Sequence, residues 1–463
     1  MNRDLLKIDS FSFSYPGASV PALREVSCAV AAGECVCLTG DSGCGKTTLL
    51  LAVKGLLRSG SCSGAIKIDS PPSDDGWSTP VGLVFQNAES QILCTTVAEE
   101  VAFGPENLCA PPAEIARRVR SALRAVGLDD YETRNVERFS AGQKQRLAIA
   151  SVLSMHPKLL LLDEPTSQLD VQGKRELCTV LAGLKSRGHT IIMAEHDPRP
   201  FAALIDRYLP MAEGRLGAAA STLPEPERYL AKSALKPPAA AVPEGAAVIA
   251  VRGLRLSYPE TGVALNQVNL QVRRGERVHL FGGNGAGKSS LLRCLAGLER
   301  PDAGTLEIAG LADPRPEHLP GKVGVLFQNP ARQLFAESVF EEVAFSLRRL
   351  GQSCQEMERC VAEALGICAI GHLTERAPLT LSFGEQHRVA LAAVVAPKPL
   401  VLLLDEPFAG LDFPQRLALL AILAQMPGSH GTTVLIASHD ELPDAGWADR
   451  RLLLSEGSLV EIT

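Results

Sequence analysis

No stretch of this 463-residue chain is apolar for the roughly 18 consecutive residues that a membrane-spanning helix requires. Its first residues, MNRDLLKIDSFSFSYPG, lack the long apolar core of a secretory leader. Both absences point to the cytoplasm. Positive charge is not in excess either. The formal net charge is −6, which argues against a nucleic-acid binder that relies on a broad basic surface. The twelve cysteines include no Cys-x-x-Cys pair, so the spacing of a structural zinc site is missing. Cys35 and Cys37 fall in an apolar run and read as buried neutral thiols.

What is present is an ordinary globular balance. Hydrophobic residues make up 46% and charged residues 21%, enough apolar material to bury substantial cores. The length alone suggests about three domains, or fewer if the units are large α/β folds. The segment LTGDSGCGKTTLL, Leu38 to Leu50, narrows the choice. Gly40, Gly45, Lys46 and Thr47 follow the phosphate-loop spacing, with a short apolar run before them and a helical pattern starting near Thr47. Such a loop turns backbone N–H groups toward an anion, and the helix N-terminus adds its dipole. Cys44, inside this loop, reads as a tolerated small residue, although a thiol beside a helix N-terminus can become acidic. The pattern recurs at Gly282, Gly287, Lys288 and Ser289. Two chance matches have odds of roughly one in ten thousand.

The whole chain repeats. Lys46 and Lys288 lie 242 positions apart, as do Gln86 and Gln328, Gly142 and Gly384, and Asp163 and Asp405. Tyr15 and Tyr258, and His196 and His439, lie 243 apart. Constant spacing of this kind means a duplicated domain. Each copy runs in the same order. An aromatic strand region (SFSYPG, RLSYPE) precedes the phosphate loop and its helix. A strand then ends in VFQN or LFQN, and a mostly helical stretch leads to FSAGQKQR or LSFGEQHR. A continuous apolar strand ends in acids (LLLLDEPTSQLD, VLLLDEPFAGLD), and a last buried strand leads to AEHD or ASHD. Uninterrupted apolar runs separated by helices predict a mainly parallel α/β sheet covered on both faces. Between the copies lies an Ala- and Pro-rich stretch, read as a semi-extended tether. The expected division is 1–215, a linker 216–247, and 248–463.

This set of motifs resembles the ATP-binding-cassette (ABC) ATPases over essentially all of both copies. The resemblance implies two tandem P-loop domains, each with a helical subdomain. It implies ATP bound by Gly40, Gly43, Gly45, Lys46, Thr47 and Thr48, and by Gly282, Gly285, Gly287, Lys288, Ser289 and Ser290. Thr47, Gln86 and Asp163, with Ser289, Gln328 and Asp405, would hold Mg²⁺. Glu164 and Glu406 match the general base, and His196 and His439 the histidine that contacts the γ-phosphate. Tyr15 and Tyr258 would stack on adenine. Ser140, Gly142, Ser382 and Gly384 match the signature that reaches a γ-phosphate from the opposite domain. One site would then join Lys46, Asp163, Glu164 and His196 to Ser382 and Gly384. The other would join Lys288, Asp405, Glu406 and His439 to Ser140 and Gly142. Asp170 and Asp412 would lie at the seam of this intramolecular pseudo-dimer.

Two departures from the family pattern stand out. Its usual signature is Leu-Ser-Gly-Gly-Gln. The first copy has Ala141 at the first glycine, a mild change, whereas the second has Phe383 there and Glu385 in place of glutamine. Bulk and like charge near a triphosphate imply slower turnover at the Lys46 site, though neither site has lost its acids or its histidine.

Within the family, FQNAESQILCTTVAEEVAFGPENL and FQNPARQLFAESVFEEVAF resemble the ATPases of energy-coupling factor (ECF) transporters, which import vitamins and transition-metal ions. The form resembled carries both ATPases in one chain. That implies a peripheral position at the cytoplasmic face of the membrane, beside a transmembrane coupling protein and a substrate-binding membrane protein. Gln91, Ile92 and Leu93, with Gln333, Leu334 and Phe335, are then candidates for the surface that meets the coupling protein. The EEVAF repeats read first as helix starts, where acids suit the dipole. Two rivals are a soluble tandem-cassette translation factor and a two-cassette sugar-importer ATPase. The tether and the residue before it have four basic residues (Arg215, Arg228, Lys232, Lys236), too few for ribosomal RNA, and two intact catalytic sets disfavour the sugar importer.

Overall fold

The computed structural model describes residues 4–18, 20–69, 76–167, 169–223, 247–259, 262–329, 332–411 and 413–462. The chain divides into two compact units, Met1–Tyr229 and Leu230–Thr463. Each unit is described by itself.

In the first, the described residues form a six-stranded sheet in the order Val81–Val84, Leu159–Asp163, Thr190–Ala194, Cys35–Thr39, Arg207–Ala212, Arg215–Leu216. Every neighbouring pair is parallel except the last. The apolar run of the central strand follows from its position. Leu160 and Leu162 pack on one face with Leu147 and Leu153 of the helix Ala141–Leu153. Leu159 and Leu161 pack on the other with Leu49 and Leu50 of the helix Lys46–Lys54. Successive residues of a strand point to opposite faces, so a strand buried on both sides needs leucine at every position. The second unit repeats this in the order Val323–Leu326, Val401–Asp405, Thr433–Ser438, Arg277–Phe281, Arg450–Ser455, Ser458–Ile462.

The tyrosine-bearing segments do not join these sheets. Asp4–Ser14 pairs antiparallel with Leu23–Ala31 and Ser61–Ile68, and Ala247–Tyr258 likewise with Gly262–Arg273 and Ala303–Ile308. Leu6, Ile8, Phe13 and Leu23 of the first of these small sheets bury against Leu49 and Leu50 of the phosphate-loop helix. Three helices form the helical part of each unit: Val97–Asn107, Pro112–Ala125 and Ala141–Leu153 in the first, Val339–Arg349, Cys354–Ile367 and Phe383–Val395 in the second. Of the stretch expected as a tether, Leu216 ends a strand, Ala220 bridges to Tyr208 and Leu223 packs on the first core, while 224–246 lie outside the described residues.

The EEVAF repeats open helices as expected. Thr96 and Glu99 form a reciprocal capping box, and the Ser338 hydroxyl caps the amide of Glu341. The second glutamate of each repeat does something the sequence did not reveal. Glu100 is buried and accepts the amides of Leu93 and Cys94, at 2.8 and 2.9 Å. Glu342 accepts those of Phe335 and Ala336, both at 2.8 Å. Each carboxylate thus fixes the loop leading from the glutamine strand into the helical part. Glu342→Ala strands two amides, and unpaired buried groups cost roughly 1–3 kcal/mol each. A fall in Tm of the second unit, read by Trp447 fluorescence in a Trp77→Phe background, is the expected outcome.

The second unit alone buries two histidines where the first has Cys37 and Gln145. Burial pushes His279 and His387 down to about 4. Among the described residues neither ring nitrogen of His387 has a hydrogen-bond partner. The unfolded chain takes up these protons near pH 6.5, while the folded unit holds the rings neutral until about 4. Stability is therefore intact above the unfolded value and is lost as pH falls through this window. The second unit should melt earlier at pH 5 than at pH 7. His387→Gln, the residue of the first unit, should recover a few kcal/mol at pH 5 and much less at pH 7, by the same Trp447 signal.

Candidate functional site

Each phosphate loop joins a strand to a helix whose cap is a left-handed glycine. Gly45 has φ 108° and Gly287 φ 100°. A Cβ at Gly45 would lie 2.8 Å from the carbonyl oxygen of Ala22, and one at Gly287 2.4 Å from that of Ala264. Both the conformation and the close approach demand glycine. The lysines that follow are buried. The Lys46 ammonium donates to the carbonyls of Gly40 and Asp41, at 2.9 and 3.0 Å. Lys288 donates to those of Gly282 and Gly283, at 2.8 and 3.1 Å. Cys44 is buried in the first loop, its Sγ 3.8 Å from the Lys46 Nζ. Above each helix start a tyrosine hydroxyl meets the second hydroxyl after the lysine: Tyr15 with Thr48 at 3.2 Å, Tyr258 with Ser290 at 3.3 Å.

The strands Leu159–Asp163 and Val401–Asp405, each second in its sheet, deliver the acids. Thr47 Oγ1 donates to Asp163 Oδ1 at 3.1 Å. Burial, then the adjacent Glu164, pushes the Asp163 carboxyl up to about 6, against the pull of Thr47, Lys46 and His196. Burial likewise raises Asp405, whose Oδ1 is enclosed and makes no hydrogen bond among the described residues. An orphaned carboxylate oxygen in the same shell as a threonine or serine hydroxyl fits a hard divalent cation such as Mg²⁺. Beyond each aspartate the backbone turns left-handed at the glutamate, φ 45° at Glu164 and 48° at Glu406. Non-glycine residues seldom adopt that conformation. It is held here by the glutamate N–H, which donates to Ala194 O at 2.9 Å in one unit and to Ala437 O at 2.8 Å in the other.

The glutamate side chains gather different partners. In the first unit Gln86 Nε2 donates to Glu164 at 2.7 Å, and His196 Nε2 lies 2.6 Å from the same carboxylate. In the second, Glu406 lies 3.3 Å from Lys288 Nζ and 2.8 Å from Nδ1 of His439. Gln328 holds the position matching Gln86, exposed at the end of its strand. The structure thus brings together Lys46, Thr47, Gln86, Asp163, Glu164 and His196, and in the second unit Lys288, Ser289, Asp405, Glu406 and His439.

The signature residues cap helices. Ser140 and Gln143 form a reciprocal capping box, as do Ser382 and Glu385. The two differ in one hydrogen bond. Glu385 Oε2 accepts from the Ser382 hydroxyl at 2.8 Å as well as from its N–H at 2.9 Å. Burial opposes its ionisation, but those two bonds, with Arg388 and Arg376, hold the carboxyl below the usual range. Gly142 and Gly384 sit within the first turns of these helices, and Asp170 caps the helix Val171–Ser186. Asp412 and the Phe383 side chain lie outside the described residues.

The family model for the ABC transporter matches residues 23–167 and 265–409, both phosphate loops and both acidic strand ends included. The chain belongs to the ABC transporter family. It is accordingly an ATPase subunit with two ABC domains, and it binds ATP. A relative from Methanosarcina mazei, named only as an ABC transporter ATP-binding protein, is 32% identical over 98% of this chain and 88% of its own length. One from Bifidobacterium longum with the same description is 34% identical over 95% of this chain and 63% of its own. Among solved structures, cbiO1 of Clostridium perfringens, part of the ABC transporter complex cbiONQ, is 32% identical with a TM-score of 0.44, covering 46% of this chain and 87% of that one.

One buried group beside the site is assigned no role by the sequence motifs. Glu195, preceding His196, accepts the Thr166 amide and hydroxyl, at 3.1 and 2.8 Å. Burial is the main cause that pushes its carboxyl up to about 8, with Glu164 and Asp197 adding to it and Thr166 opposing. The available signal was an acid at the end of an apolar strand, where the second copy has serine.

Proposed function

We propose that this chain energises an ECF-type importer of a vitamin, related micronutrient or transition-metal ion, acting with separate membrane subunits. What carries the reading is a pair of exposed apolar side chains repeated in both units. Leu93 is 68% exposed and Phe335 62%. Phe103 and Phe345, the matching residues of the following helices, are exposed too, and Phe345 packs edge-on against Phe335 at 4.8 Å. Exposed apolar patches repeated at equivalent positions mark interaction sites. The occupant proposed is a helix of the transmembrane coupling protein. Of the other residues expected there, Ile92 packs on the core and Leu334 is buried. Gln91 and Gln333 instead brace their strands, accepting from the Phe85 and Phe327 amides. No helix among the described residues is long and apolar enough to cross a membrane, so the span would belong to the partners.

In the proposed cycle the phosphate-loop amides, Lys46 and Lys288 hold the triphosphate, and Tyr15 and Tyr258 support adenine. Mg²⁺, when bound by Thr47, Asp163 and Gln86 or by Ser289, Asp405 and Gln328, neutralises charge on the phosphate oxygens. Glu164 and Glu406 accept the proton of the attacking water, while His196 and His439 orient it and meet the γ-phosphate. Under the expected pairing, Ser382 and Gly384 would serve the Lys46 site, and Ser140 and Gly142 the Lys288 site. Each phosphate would then lie at a helix N-terminus. The units assigned to these roles are 1–215 and 248–463, joined by 216–247.

On this reading the Lys46 site turns over more slowly, because Glu385 brings negative charge and already engages the Ser382 hydroxyl. Removing Glu406 as base leaves the slower site, and removing Glu164 leaves the faster one. Steady-state phosphate release should therefore be lower for Glu406→Gln than for Glu164→Gln, and equal residual rates would count against the idea. Glu385→Gln in the Glu406→Gln background should raise the rate about twofold to fivefold, the scale of one charge at a helix end. The partner assignment is tested by purifying the tagged chain from detergent-solubilised membranes. Recovery of a small polytopic coupling protein with a substrate-binding membrane protein is expected. Recovery of ribosomes and no membrane partner would favour the translation factor.

A further inference from the structure

The first unit contains a connection that the second lacks. Three consecutive residues at the end of the strand Thr190–Ala194 touch the turn that carries Glu164. The Ala194 carbonyl accepts the Glu164 N–H. The Glu195 carboxyl accepts both the N–H and the hydroxyl of Thr166. His196 meets the Glu164 carboxylate itself. Glu195 is 2% exposed, and its own N–H donates to Leu38 O at 3.1 Å, on the strand that feeds the phosphate loop. One buried residue is thus tied by its N–H to the strand before the phosphate loop, by its carboxyl to the turn after the glutamate, and through the chain to the histidine.

The second unit keeps the outer two contacts and loses the middle one. Glu406 N–H still bonds Ala437 O, and His439 still meets Glu406. The residue between them is Ser438, and the position of Thr166 is taken by Phe408, buried in the core. Ser438 turns the other way: its hydroxyl donates to Asp440 O at 2.6 Å and lies 2.8 Å from His279 Nε2. Apolar packing of Phe408 anchors that turn, whereas in the first unit the anchor is a pair of hydrogen bonds to an acid.

We propose that Glu195 is a positioning residue of the first ATP site, clamping Thr166 so that the left-handed turn presents the Glu164 carboxylate to the attacking water. This rests on Glu164 being the general base. Glu164 sits in a backbone conformation that must be held by its surroundings, since its φ is 45°. Its N–H is held by Ala194 O and its carbonyl by the Ser167 N–H at 3.1 Å, and Glu195 adds a side-chain anchor two residues further on, at Thr166. Burial keeps the Glu195 carboxyl protonated at neutral pH, so glutamine is its close mimic: an oxygen to accept both Thr166 bonds and an N–H₂ in place of O–H. Cys37, Glu164 and Asp197 are titratable groups that interact with it electrostatically.

The test uses the full chain with Glu406→Gln, so that hydrolysis reports the first site. Glu195→Ala should lower kcat about tenfold to a hundredfold with KM for ATP little changed, the scale of a displaced catalytic group. Glu195→Gln should restore kcat to within about twofold, because both bonds to Thr166 are kept. Thr166→Val removes the hydroxyl bond but keeps the amide bond, so it should cause part of that loss without touching Glu195, and adding Glu195→Ala should take kcat no lower than Glu195→Ala alone, as expected of one shared interaction. A wild-type kcat in both Glu195→Ala and Thr166→Val would overturn the proposal. So would a change confined to KM, or a loss that glutamine does not rescue. If Glu195→Ala does not fold, Glu195→Gln and Thr166→Val still decide. Glu164→Gln in the same background separates the two levels: first-site hydrolysis surviving that change would remove the general base itself, not only its clamp.

Discussion

In each unit the placement of the proposed catalytic acids depends on a hydrogen bond between the ends of two adjacent parallel strands, Glu164 N–H to Ala194 O and Glu406 N–H to Ala437 O. The strands pair in register, Asp163 against Ala194 and Asp405 against Ala437, up to that point. The next residue then leaves the sheet in a left-handed conformation. That exit separates two neighbouring acids. The aspartate stays at the strand end beside the Thr47 hydroxyl in the first unit, while the glutamate swings to the histidine. Without the bend, alternation along the strand would send the two carboxyls to opposite faces of the sheet. The same geometry explains the continuous leucine run: a strand that ends in charge at the sheet edge is anchored by burial on both faces.

Around this shared frame the units differ in what neutralises the glutamate. The first uses Gln86 and His196, the second Lys288 and His439. One layer further out, Glu195 with Thr166 is replaced by His279 with Ser438. The signature caps differ again, through the engaged hydroxyl of Ser382. A duplicated ATPase has kept its reactive groups twice and varied the polar groups that support them. Supporting groups set precise geometry and local charge, so the variation would let the two proposed sites differ in rate.

The same economy appears at the outer surface. Glu100 and Glu342 spend their carboxylates on two backbone amides each, and thereby hold Leu93 and Phe335 out at the surface. A loop pinned by a buried acid can present an apolar side chain without losing it to the core, as happens to its neighbours Ile92 and Leu334. Docking of the proposed partner there would act on the loop joined to Gln86 or Gln328, and so would reach the ATP site by a short path.

The sequence by itself determined the duplication, the phosphate loops and the acidic strand ends, because these depend on residue type at fixed spacing. Glycine is the residue that tolerates the cap of the loop helix, and carboxylates that end an apolar run are legible as such. It also foretold the helix starts, since Thr96 with Glu99 and Ser140 with Gln143 are local devices. The tertiary structure alone decided which partners those acids meet. The clamp from Glu195 to Thr166 spans 29 positions and that from His279 to Ser438 spans 159, and each arises where parallel strands end side by side. It alone decided that Ile92 turns inward while Leu93 stays exposed, and that the tyrosine strands form sheets of their own. Such outcomes depend on burial from several elements at once, and burial is a property of the packed chain rather than of any window within it.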